Sequence, residues 1–98
     1  MFFAIKTFDK PDHFALRQKL RAEHLDYLDA HKAILVAAGG ILTDDGEAAT
    51  GGLLIVDVAD RAAAEAFIAG DPFTKGGLFR EVTVERWRKA FFDHQRHV

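Results

Sequence analysis

The chain has 98 residues, 49% hydrophobic and 29% charged, which is the length of one domain and the balance of a globular protein that folds in water. A net charge of −2 offers no global field for a phosphate backbone, so nucleic acid is not an expected partner; the absence of cysteine removes disulfides, thiolate metal sites and cysteine nucleophiles together. No apolar run nears the roughly 18 residues of a spanning helix, and MFFAIKTFDK lacks the basic n-region of a secretory signal, so no membrane association and a cytoplasmic location are expected.

In chain order, FFAIKTF (Phe2 to Phe8) is apolar at both alternating positions and predicts a strand buried on two sides. Pro11-Asp12 follows, and its aspartate can cap a helix. From about His13 to Lys32 there is neither Gly nor Pro, and Leu, Ala, Arg, Lys and Glu dominate, which predicts a helix. Its Leu16, Leu20, His24, Tyr27, Leu28 and His31 recur at three- and four-residue spacings and share one face. AILVAAGGILT reads as a strand in which Gly39-Gly40 marks a bulge or a close backbone approach. DDGEAATGG reads as a turn, and Leu53 to Ala59 as the returning antiparallel strand. Asp60 suits the N-cap of RAAAEAFIA, and Gly70 suits a left-handed end to that helix. FREVTVERW alternates as a last strand, with Arg86, Arg88 and Lys89 as solvated cations around a buried Trp87. FFDHQRHV has no period and reads as a tail or an exchanged segment; the whole of 1–98 is one domain, with 92–98 as its tail.

The order β-α-β-β-α-β predicts the ferredoxin-like α+β class, a four-stranded antiparallel sheet with both helices on one face. Two helices cover one face only, whereas two of the strands are apolar on both. A second copy, sheet against sheet, removes the exposed patch, so a homodimer through the sheet faces is expected.

Serine is absent and neither a phosphate loop nor GxGxxG occurs, which excludes a serine hydrolase and gives no sign of a nucleotide cofactor. His94 and His97 lack a defined third ligand, and His24 and His31 lie about 10 Å apart along a helix, so no metal site is expected. His24 points to the interior side of its helix, either as a hydrogen-bonded structural histidine or as a general acid/base. Asp71, between Gly70 and Pro72, fits an N-cap with proline at the first helical position, and it also stands where a carboxylate can orient an imidazole. Arg21, one turn before His24, reads either as half of a surface ion pair or as the group that binds a substrate anion, while Tyr27 and Phe73 can line an apolar wall.

RAEHLDYL (Arg21, His24, Leu25, Leu28), then AAGG, then AEAFIAGDPFTKGGL (Ala66, Phe67, Asp71, Pro72, Phe73, Gly77, Leu78) closely resemble the YCII-related family over about Met1 to Phe91. The resemblance implies a dimeric α+β barrel and a pocket between helices and sheet in which His24 and Asp71 pair as the active site. It also implies lyase-type chemistry without a cofactor: one similar enzyme removes chloride from a chlorinated hydroxyquinol, and a muconolactone-isomerase-like relative shares the wider fold. The glycine-rich TKGGL and the FFDHQRHV tail depart from the family's pattern. The expected function is therefore a cofactor-independent lyase or isomerase moving a proton on a small ring or acidic compound. The alternatives are a non-catalytic dimeric module for a small molecule or a partner protein, and a haem-handling relative for which no histidine is singled out as ligand.

Overall fold

The structure, a computed structural model, describes residues 1–98. Strand β1 (Phe2–Asp9) leads to helix α1 (Phe14–Ala30), a single 3-10 turn (Lys32–Ile34), β2 (Leu35–Leu42) and β3 (Ala49–Asp57). Helices α2 (Arg61–Ala69) and α3 (Pro72–Lys75) precede β4 (Phe79–Trp87), and the short strands β5 (Phe91–Phe92) and β6 (Gln95–Arg96) end the chain. The main sheet is fully antiparallel in the order β2-β3-β1-β4, which is the ferredoxin-like α+β arrangement the element order predicts. No helix is long and apolar enough to cross a membrane.

Strand alternation selects the core. Phe3 and Ile5 of β1 and Leu54 and Val56 of β3 point to the helix side, where Ala64, Phe67 and Ile68 of α2 close over them. Each such large side chain, fully buried, stabilises the fold by about 1.5–3 kcal/mol. Helix α2 begins where Asp60 accepts a 2.8 Å hydrogen bond from the Ala63 amide, as its sequence predicts. The opposite sheet face carries Phe2, Ala4 and Phe8 of β1, Leu53 and Ile55 of β3 and Trp87 of β4, and in the single chain these are half-buried or exposed.

Several expectations need correction. Helix α1 is capped at His13 without a side-chain bond, and Asp12, left-handed at φ 59°, stands one residue before the cap position. Strand β3 begins at Ala49 rather than Leu53, and its Gly51 lies so close to β1 that a Cβ there would fall 2.1 Å from the Thr7 carbonyl oxygen. The close backbone approach therefore belongs to Gly51, while the irregularities of β2 flank Gly39-Gly40, between Leu35 and Ala37 and between Ile41 and Leu42. Gly70 is right-handed (φ −83°); it is small because a Cβ would stand 2.6 Å from the Tyr27 hydroxyl. The tail is a hairpin: Asp93 and His94 both have positive φ, the geometry of a tight two-residue turn, and Phe91 and Phe92 pair with Arg96 and Gln95.

Candidate functional site

Helix α3 is only PFTK, yet local chemistry fixes it firmly. Asp71 Oδ1 accepts the Phe73 amide at 2.9 Å, Pro72 supplies a preset φ at the first position, and Thr74 Oγ1 donates to the Ile68 carbonyl at 2.6 Å. Gly77, left-handed at φ 78°, then turns the chain toward β4.

This cap carries a second bond. Nδ1 of His24 lies 2.9 Å from each oxygen of Asp71, whose side chain is wholly sealed from solvent while that of His24 is 15% exposed. A carboxylate only accepts, so Nδ1 carries the proton and Nε2 is the ring nitrogen left for a ligand. The imidazole is also stacked on Phe73, with centroids 3.9 Å apart and planes 12° from parallel. The Arg17 guanidinium lies 4.8 Å from the centre of the same ring. Arg17 and His24 are two turns apart on α1, so Phe73 is held between them. Arg17 itself forms a fork with Asp9: Nε to Oδ2 at 2.7 Å and Nη2 to Oδ1 at 3.2 Å.

Helix α1 packs on α3 and stands off from the sheet, which leaves a cavity of about 290 Å³ between them. Arg17, Arg21, His24, Leu25 and Leu28 form its helical wall; Asp71, Phe73 and Phe79 form one end. Thr7 from β1, Ala38, Gly39, Gly40 and Leu42 from β2, and Ala49, Gly52 and Leu54 from β3 form the floor. The structure thus brings together four of the five residues singled out in the sequence, His24, Asp71, Arg21 and Phe73. Arg21 is exposed at the wall and forms no ion pair within the chain. Tyr27 is elsewhere: its ring stacks on Phe67 at 5.3 Å and its hydroxyl donates to the Phe67 carbonyl at 2.7 Å, so it faces α2 and not the cavity. Burial first, and then the nearby Asp71 charge, push the Tyr27 phenol above its usual value of 10.0.

Sequence reading missed Arg17 and Thr7. The signal for Arg17 was present, since Arg17, Arg21, His24 and Leu28 follow spacings of four, three and four along one stripe. Thr7 had no comparable signal, because a lone threonine in an apolar strand is ordinary. His94 and His97, considered above as metal ligands, lie on the terminal hairpin, with His97 packed toward Phe92.

A chain of 36% identity, 5-chloro-2-hydroxyhydroquinone dehydrochlorinase from Burkholderia phenoliruptrix AC1100 in complex with 2,5-dihydroxybenzoquinone, superposes with a TM-score of 0.84 over 90% of this chain and 94% of that one. An antibiotic biosynthesis monooxygenase at 18% identity, TM-score 0.52, covering 90% of this chain and 99% of that one, shares the fold. No curated protein sequence matches. The model of the YCII-related domain matches residues 1–88, all four strands of the main sheet and all three helices. This chain belongs to the YCII-related domain family.

Proposed function

We propose that the protein is a cofactor-independent lyase or isomerase in which His24 moves a proton on a small ring or acidic compound and Asp71 holds the imidazole for that task. The observation that carries this reading is the sealed carboxylate of Asp71, with both oxygens 2.9 Å from Nδ1 of a histidine on a cavity wall. The similar dehydrochlorinase, which eliminates hydrogen chloride from a ring, supports the reaction class.

In the proposed step Nε2 accepts a proton from a ring hydroxyl or an acidic carbon, and the electron pair of the broken bond enters the ring. Elimination follows if a leaving group departs as an anion, and isomerisation follows if the proton returns to another atom. Both balance without an external electron carrier. Asp71 stabilises the imidazolium formed in between, and such positioned acid–base catalysis contributes about 10²–10⁴-fold. Arg21, exposed and without an ionic partner, suits attraction of an anionic substrate to the wall.

The test is chloride release from 5-chloro-2-hydroxyhydroquinone, together with deuterium uptake at ring carbons of hydroxyquinol, in wild type and His24→Gln. Wild type should exceed background in at least one of the two, and His24→Gln should lose about 10²–10⁴-fold. Equal rates in both proteins would remove His24 from the chemistry and favour a binding module.

We also propose that the protein is a homodimer through the open sheet face. Phe2, Phe8, Leu53, Ile55 and Trp87 are half-buried or exposed there, interleaved with Lys6, Glu81 and Glu85, a mixed face whose apolar members a second copy would cover.

A further inference from the structure

Charge is sorted by sign along this chain. Residues 33–60 hold five acids and no Lys, Arg or His, whereas residues 86–98 hold Arg86, Arg88, Lys89 and Arg96 against the single acid Asp93. Water satisfies exposed charges one by one, but it does not segregate them.

Two of the five acids are engaged elsewhere: Asp57 pairs with the N-terminal ammonium at 2.8 Å, and Asp60 caps α2. The other three, Asp44, Asp45 and Glu47, lie on the exposed turn between β2 and β3 and form no ion pair. This turn is shaped within the chain. Asp45 Oδ1 accepts the Thr43 hydroxyl at 2.6 Å and the Glu47 amide at 3.0 Å, and Gly46 supplies a left-handed φ of 76°.

The cations gather round an open groove of about 740 Å³ formed by Phe2, Arg86, Trp87, Arg88, Lys89 and His97. Phe2 and Trp87 pair across β1 and β4 at the end of the open sheet face, so the groove continues that face. Lys89 is held on its rim, with Nζ 4.8 Å from the centre of the Phe2 ring and 5.0 Å from that of Phe92. Arg86, Arg88 and Lys89 form no ion pair either.

Turn and groove occupy diagonally opposite corners of the sheet. In the order β2-β3-β1-β4 the turn joins the two strands on one side, while the groove lies at the far end of the two on the other. The stretch of β1 from Phe2 to Phe8 alone spans about 20 Å, twice the Debye length of about 10 Å at 0.1 M salt. The two corners therefore do not serve each other within one chain. A two-fold axis between facing sheets, perpendicular to that diagonal, sets each turn over the groove of the other copy and forms the contact twice.

We propose that the acidic turn 44–47 of one copy docks in the basic groove of a second copy, so that the two open faces meet with their ends reversed. This inference rests on the homodimer reading above and adds which corners of the two copies meet.

The test is light scattering on the whole protein at micromolar concentration, with native mass spectrometry to identify the species. Arg86→Glu with Arg88→Glu makes the groove acidic, and Asp44→Lys with Glu47→Lys makes the turn basic. Each double variant should give the mass of one chain with an unchanged circular dichroism spectrum. Mixed in equal amounts they should form a heterodimer, since the reversed turn meets the reversed groove and the native pair is kept at the other contact. A chain carrying all four substitutions should dimerise like wild type. Raising salt from about 0.05 M to about 0.5 M should weaken the wild-type dimer at least tenfold, and this result decides the matter if a variant does not fold. Dimers retained by both double variants, a mixture that stays monomeric, or a wild-type dimer indifferent to salt would overturn the docking and leave the sheet-to-sheet dimer standing. A wild type with the mass of one chain would overturn both.

Discussion

At the scale of single residues, Asp71 has two functions and one set of atoms for both. Asp71→Asn keeps a carbonyl for the Phe73 amide but turns an NH₂ toward Nδ1, since both oxygens of the carboxylate now face that nitrogen. The imidazole then carries its proton on Nε2 and can no longer accept one there. Nitrogen-15 NMR should record the tautomer change, and turnover should fall about 10³–10⁴-fold with the fold preserved. Tyr27 offers a cleaner titration, because it is the only tyrosine in the chain and phenolate absorbance reads it alone. Its midpoint should lie above 10.0 in the native protein, return toward that value in denaturant, and move down part of the way in Asp71→Asn. The folded state holds this proton more tightly than the unfolded state. Its contribution to stability is thus complete below pH 10.0 and is lost as pH rises from there through the raised folded value, a loss absent from Tyr27→Phe. His24 and Asp71 were legible in the sequence because each had a chemical reason to be inspected: an imidazole on an interior stripe and an acid between Gly and Pro. That one carboxylate serves as both cap and imidazole partner was not legible, because it depends on where α3 docks against α1.

At the scale of elements, the strands that alternate large residues were legible nearly to the residue, as β1 and β4 illustrate. The start of β3 was not, because Ala49-Thr50-Gly51-Gly52 has the composition of a turn and becomes a strand only through its pairing with β1 and β2. The sheet tests that pairing directly. Gly51→Ala should destabilise the protein by about 3 kcal/mol or more, since its Cβ meets main chain that has no rotamer by which to yield. Gly39→Ala, with nothing within 4 Å of the added carbon, should stay within about 0.5 kcal/mol. Denaturant melts of the two variants check both values. Similarly, α1 was legible as a helix, yet the gap between it and the sheet was not. Side chains as different as Arg17, Arg21 and Leu25 share that wall, and no periodicity distinguishes a helix that touches a sheet from one that stands off it.

For the whole molecule, the order of elements was enough to foresee the four-stranded sheet with its helices on one side. The two-sided apolar strands single out the open sheet face as the one that the proposed second copy would cover. Light scattering at micromolar concentration should give twice the chain mass, and Ile55→Asp should halve it, since its partner on β1 is Ala4 and no cation stands opposite to neutralise the new carboxylate. Trp87, the only tryptophan, lies on that face with its ring edge-on to Phe2 at 6.1 Å, so its emission should shift red on dilution as copies separate.

Helix α3 holds the imidazole's partner, and it is a single turn of four residues tied down by two side-chain bonds, the backbone bonds of that one turn and a proline. Well bonded as it is, a segment so short has little cooperativity of its own, and it should open locally at a lower free energy than the sheet. Each opening would remove Asp71 from His24 while the β-strands remain paired. The pairing of His24 with Asp71 should therefore be more fragile than the sheet. On mild heating or in low urea, turnover should be lost before circular dichroism changes, and amides 73 to 78 should exchange with solvent ahead of those in β1 and β3.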